Sequence, residues 1–509
     1  MQARRSCRFV IALVVSLLSV VTGCAPTITS SNVAKSATDA TLASTDEHVV
    51  TLTILHMNDV YEITPVVGGA QGGLARVATV RKELLTKNRN TFTILAGDLF
   101  SPSAMGTARV DGERLNGRQI VDVMNVVGLD YATFGNHEFD LPSEQFLKRL
   151  SESKATWFSS NTFDAQGQPF PNVPAHVVFS ISNHAKRTAQ VGLFGLTTDS
   201  NRAGYVTYVD PLMTAKEQVA ALRRQVDILI AVTHLPIAQD IRLVEALPEI
   251  DMVIGGHEHE DFQLWRGPNL TPIVKADANA RTVYVHDFAF NTATRKLDMV
   301  SRLRKINSDI PEDPAVAANV KSWVERAFAG FRSQGFEPER VVAVVSAVLD
   351  GTEASVRRHA TRLTDLIAQG MLHSVPNAEW AVYNGGSIRI DDVLQPGNIT
   401  EYDIIRTLPF GGIVEAVDMK GALLQRVLDQ GLANQGTGGF LQTARTSERP
   451  IQPNRTYLVA INDFLLTGKE TGLADLTRNN RDLKVRAQGT PPIDIRQALI
   501  AELRRQYPF

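Results

Sequence analysis

Thiols are almost absent: 509 residues include two cysteines, Cys7 and Cys24, both near the N-terminus. The globular part has no disulfide to form, and a chain of this length does not need one to bury a sufficient core. An excess of charge of one sign is absent too, with 52 Lys and Arg against 54 Asp and Glu. A protein that grips nucleic acid usually carries a clear basic excess, so the balance speaks against that class. Beyond the first two dozen residues no apolar run approaches the length that spans a bilayer.

The first two dozen residues are different. Arg4, Arg5 and Arg8 precede the apolar stretch FVIALVVSLLSVV, and TGCAP follows. A basic patch before a short apolar core predicts an export signal over residues 1–23. VTGC resembles the bacterial lipobox, which implies a lipid on Cys24 and an exported, membrane-anchored lipoprotein, periplasmic or on the cell surface. An ordinary signal peptide with a chance cysteine is the alternative. Residues 24–47 are rich in Ser, Thr and Ala and predict a flexible tether. As a random coil it would reach about 25–30 Å.

From Val49 onward, short β-branched runs such as VVTLTILH, TFTILAGD, ILIAVTHL and DMVIGGHEH alternate with amphipathic helical stretches. That alternation predicts a layered α/β domain over residues 48–308, with any ligand bound beyond the strand ends. Prolines and acidic residues around INSDIPEDPAVAANV introduce a linker helix, residues 309–338. A second α/β domain with Gly-rich turns, residues 339–509, follows.

The polar residues that end these runs share one chemistry. In order they are Asp59 with Tyr61, Asp98, Asn136 with His137, His234, and His257 with His259. These are oxygen and imidazole donors without sulfur, suited to Mn, Fe, Zn, Co or Mg. There are more donors than one ion needs, and Asp98 is placed to bridge two ions about 3.5–4 Å apart. Such a pair lowers the pKa of a water and neutralises phosphoryl oxygens. His137 is placed to protonate a leaving group, with Asp140 three residues on to fix its tautomer. Each motif is weak alone; five in order, each ending an apolar run, are hard to explain as packing.

The order D…GD…GNHEFD…TH…GHxH resembles the calcineurin-like metallophosphoesterases, and GNHEFD with NGGSIR and LPFGG resembles the bacterial 5′-nucleotidase/UDP-sugar hydrolase family. The resemblance implies a four-layer α/β/β/α metallophosphoesterase domain, a linker helix, and a C-terminal α/β domain that holds the nucleoside. It implies two divalent metal ions. One would use Asp59, Asp98 and His259; the other would use Asp98, Asn136, His234 and His257. His137 and Asp140 match the catalytic dyad, Arg357 and Arg389 match substrate-contacting arginines, and Phe410 and Phe464 match the aromatics that sandwich the base. By residue type alone the two phenylalanines read as core and the arginines as solvated surface. The expected activity is hydrolysis of nucleoside 5′-phosphates or related nucleotide esters and anhydrides, with no protein partner inferred. The alternative is a non-catalytic surface lipoprotein that binds a nucleotide or another ligand, with a degraded first metal site.

Four positions depart from the family pattern. Tyr61 stands where a histidine is usual, Glu353 where a third arginine occurs, Gly412 where an asparagine follows PFG, and Glu470 where an aspartate lies near the sugar. Free phenol titrates near 10, so Tyr61 is a poor ligand for Mn²⁺ or Zn²⁺. Three readings stand open: Tyr61 turns away and water completes the first site; a trivalent iron in the pair binds its phenolate; or the tyrosine is structural. Glu353 in place of an arginine implies a less firmly clamped anion.

Overall fold

The computed structural model describes residues 46–487 and 492–508. The export signal, Cys24 and nearly all of the tether lie outside the described residues.

Two six-stranded sheets stack face to face in the N-terminal domain. Val50, Leu52 and Ile54 of strand Val49–Met57, with Ile94 and Ala96 of Thr91–Ala96, meet Val191, Leu193, Ile230, Val232 and Ile254 of the second sheet. Helices Leu74–Lys87 and Arg118–Val127 bury their apolar faces on one side. Helices Pro211–Leu222 and Ile237–Ala246 do so on the other. The order of layers is therefore α/β/β/α. Strands covered on both faces need continuous apolar runs rather than alternation, and every residue of Ile228–His234 is buried.

Strand Val49–Met57 pairs in parallel with Thr91–Ala96, and that strand with Tyr131–Thr133. In the second sheet Ile228–His234 pairs in parallel with Met252–Gly255. These five strands deliver their C-terminal ends, and the loops that follow, to one region.

Helix Pro314–Ser333 leads to the C-terminal domain. Proline occupies its first turn, and the Asp313 carboxylate accepts from the backbone N–H groups of Ala315 and Val316 at 3.2 Å, a side-chain cap. The helix is tied to the N-terminal domain by the Trp323 indole, which donates to Asp122 at 2.8 Å. Beyond it lies a five-stranded sheet with Trp380–Asn384 and Thr456–Asn462 at its centre. Helices Arg362–Ser374 and Ile495–Gln506 pack against each other beside it.

Candidate metal centre

The loops after the strands are held in unusual backbone conformations. Asp59, Asp98 and His257 sit at φ of 51°, 61° and 87°, in the left-handed region that residues with a Cβ avoid. Close approach also requires glycine: a Cβ on Gly135 would lie 2.1 Å from Asp98 Oδ1, and one on Gly97 2.5 Å from His234 Nδ1. The GD and GNH motifs are thus two loops in contact.

Among the described residues, Asp59, Asp98 and His234 form one group whose ligand atoms all lie within 4.8 Å of one another. His234 Nδ1 donates to the Ala96 carbonyl at 2.8 Å, which leaves the Nε2 lone pair of the neutral ring facing inward. That Nε2 is 3.2 Å from Asp98 Oδ2 and 3.8 Å from Asp59 Oδ1, yet has no hydrogen-bond partner. Asn136 Oδ1 is likewise buried without a partner. Buried acceptors facing carboxylates are repulsive unless a cation or a proton lies among them. Without a cation, burial opposes a proton on His234, but Asp98 and Asp59 outweigh it and push the ring up to about 9. Burial opposes the negative charge on Asp59 as well, but His234 and His259 hold that carboxylate below its usual range. The His257 ring packs edge-on against His234 at 5.2 Å, and burial together with His234 takes it down to about 4, so it stays a neutral imidazole. The donor set fits divalent cations.

Tyr61 does not turn away. Its hydroxyl lies 3.0 Å from Asp98 Oδ2, 3.1 Å from Asp59 Oδ1 and 3.3 Å from His259 Nε2. That reading of the sequence is corrected: the buried phenol has its polar partners on the cluster side, where either carboxylate can accept its one hydrogen. Burial first, then the charges of Asp98, Asp59 and Glu353, raise the phenol well above its ordinary 10. A phenolate there would need a strongly charged cation to offset those carboxylates.

His137 is coupled to the cluster through its backbone, whose N–H donates to Asp98 Oδ1 at 2.7 Å. Its Nδ1 is 2.8 Å from Asp140 Oδ2, which leaves Nε2 as the ring nitrogen turned away from that carboxylate. Asp140 is held in turn by Ser101 Oγ at 2.9 Å and Asn201 Nδ2 at 2.8 Å.

Glu138 was not singled out from the sequence. Its buried carboxylate accepts from the backbone N–H groups of Asp98, Leu99, Phe100 and Gly135, at 2.5–3.2 Å. It binds the two ligand loops into one unit, and only its place inside GNHE hinted at that.

The second domain brings Arg357 and Arg389 to one carboxylate. Both donate to Glu353 Oε1, Arg389 at 3.2 Å, and Glu353 Oε2 lies 3.9 Å from His259 Nδ1. The guanidinium pair therefore has an anionic partner already. Phe410 and Phe464 are 53% and 41% exposed, which corrects the residue-type expectation of core positions. Both line a cavity of about 890 Å³ that also reaches Asp140, Arg389 and Glu470. Gly412 sits at φ 116°, where an added Cβ would meet Asp463 Oδ1 at 2.9 Å, so the backbone path here is one for glycine. Glu470 Oε2 accepts from Asn384 Nδ2 at 3.1 Å at the cavity wall. The sites thus fall into two groups joined by Asp140 and Arg389: the donor cluster with Glu353, and the aromatic cavity.

Comparison with known proteins agrees with this geometry. Residues 52–261 match the calcineurin-like phosphoesterase family, and residues 341–447 match the 5′-nucleotidase C-terminal domain. The chain is 27% identical over 437 residues to the trifunctional nucleotide phosphoesterase protein YfkN of Bacillus subtilis, a match covering 77% of this chain. It spans only 28% of that protein's length. It is 28% identical to a 5′-nucleotidase of Vibrio cholerae over 74% of both chains. A 5′-nucleotidase precursor from Thermus thermophilus superposes with a TM-score of 0.73 over 90% of this chain and 97% of that one, at 22% identity. The chain belongs to the calcineurin-like metallophosphoesterases that carry a 5′-nucleotidase C-terminal domain.

Proposed function

We propose that the protein is an exported, metal-dependent phosphoesterase that hydrolyses nucleoside 5′-phosphates or related nucleotide esters and anhydrides. The observation that carries this reading is the pair of unpartnered buried acceptors, His234 Nε2 and Asn136 Oδ1, set against two carboxylates beside the His137–Asp140 pair. Two divalent ions would supply Lewis acidity and an acidified water. Asp59, Asp98 and His259 would hold one, with Tyr61 at hand, and Asp98, Asn136, His234 and His257 the other.

The chain's own groups divide the remaining work. Asp140 keeps the His137 Nδ1–H in place, so protonated His137 donates to the leaving alkoxide from Nε2. Arg357 and Arg389 hold phosphoryl oxygens, in competition with Glu353. Phe410 and Phe464 take the base, each contact contributing about 1–3 kcal/mol.

Phosphate release from a panel of nucleotides, with Mn, Co, Zn, Mg or Fe added singly, tests this. Release is expected with at least one ion and is expected to stop with a chelator. Phe410→Ala should raise KM for nucleotides at least fivefold, from a loss of about 1–3 kcal/mol, with kcat little changed. A purified chain that binds no ion and turns over no ester would defeat the reading; an unchanged KM in Phe410→Ala would remove the nucleoside from it.

The lipobox resemblance supports anchoring through Cys24. Fatty-acid labelling and membrane fractionation should both be lost in Cys24→Ala; a labelled, membrane-bound variant would refute the anchor.

A further inference from the structure

His259 is held from two domains at once. Its Nε2 faces Asp59 Oδ1 at 3.4 Å and the Tyr61 hydroxyl at 3.3 Å. Its Nδ1 lies 2.7 Å from Oδ2 of Asp391, which comes 132 positions later, in the C-terminal domain. A carboxylate oxygen only accepts, so Nδ1 presents a hydrogen to Asp391, and Nε2 is the nitrogen that faces the cluster and can offer its lone pair to a cation there.

Asp391 is itself fixed from several directions. Its Oδ1 accepts from the Glu353 backbone N–H at 2.9 Å, and its backbone carbonyl accepts from Arg281 Nη1 at 3.1 Å. Its side chain is 8% exposed, and its backbone sits at φ 39°, in the left-handed region. A side chain held in this way, on a strained backbone, has been aimed by its surroundings.

We propose that Asp391 is a positioning residue of the metal centre, setting the tautomer and ring orientation of His259 from the neighbouring domain. The proposal rests on the metal-dependent reading above. It makes the affinity of the first ion depend on contact between the two domains as well as on the loops of the first.

Calorimetric titration with Mn²⁺, on the full chain purified in detergent, tests it. Asp391→Ala should weaken one of two sites by about 10–100-fold, the usual effect of losing such a partner, and spare the other. Asp391→Asn, whose amide oxygen still accepts, should keep most of the affinity. NMR of ¹⁵N-histidine-labelled protein loaded with diamagnetic Zn²⁺ should show His259 bound through Nε2 with its hydrogen on Nδ1 in the wild type, and a mixed form in Asp391→Ala. Coordination through Nδ1 in the folded, Zn²⁺-loaded wild type would overturn the proposal with no variant needed. Wild-type affinity at both sites in Asp391→Ala would overturn this role alone, and a wild type that binds no Mn²⁺ would remove it together with the proposed function.

Discussion

Asp98→Ala is expected to lower kcat for every accepted phosphate ester by more than about 10⁴-fold, beyond the loss that removal of a general acid alone produces. Asp98 is where the two proposed donor sets meet. One oxygen lies 3.0 Å from the Tyr61 hydroxyl and 3.2 Å from His234 Nε2, and the other accepts from the His137 backbone N–H. On the proposed assignment, removing it would take a ligand from both ions and free the backbone of the proposed proton donor, His137. Metal analysis should find fewer than two ions per chain in the variant. Asp98→Asn keeps an acceptor for His137 N–H but loses the charge, and so separates the electrostatic role from the structural one. Turnover within tenfold of wild type in either folded variant would contradict the assignment.

His137→Ala should lower kcat by about 10²–10⁴-fold on an alkyl ester such as a nucleoside 5′-phosphate. The loss should shrink for a 4-nitrophenyl ester, whose leaving group departs without a proton. Equal losses on the two esters would argue against proton donation. The pH profile gives a second reading. Burial disfavours the charged His137 ring, but Asp140 and Asp98 outweigh it, and the net shift is upward from 6.5. A raised histidine keeps its proton to higher pH, so donation is present below its pKa and fades as pH rises through it. Asp140→Asn removes the foremost of the groups that raise it, and the alkaline limb should move to lower pH. A limb that stays in place would assign it to another group.

Much of the donor cluster was legible because each member ends an apolar run, and a run buried on both faces stops where the chain reaches a loop. Asp59, Asp98, His234 and the GHxH histidines could be read from local pattern alone. The direction of the Tyr61 side chain could not, since it depends on Asp98 and His259, which arrive from other strands. Glu138 was hidden for a similar reason: its partners are backbone N–H groups of another loop, which leave no mark on residue types. Asp391 lies in a different domain from the ring it orients. The exposure of Phe410 and Phe464 runs against the usual preference of phenylalanine for cores, and only the resemblance pointed to it. The layer order was implied by resemblance; strand–helix alternation by itself stopped at a layered α/β domain.

Asp59, Asp98, His257 and Asp391 share a left-handed backbone as well as a region of the molecule. Holding a residue with a Cβ there costs of order 1 kcal/mol, less for aspartate than for most residues and least for glycine. Evolution toward thermal robustness alone would therefore drift toward glycine at these four places and gain stability while it emptied the centre of its donors. Three carboxylates and an imidazole in such positions mark a fold that has given up some resilience for its chemistry.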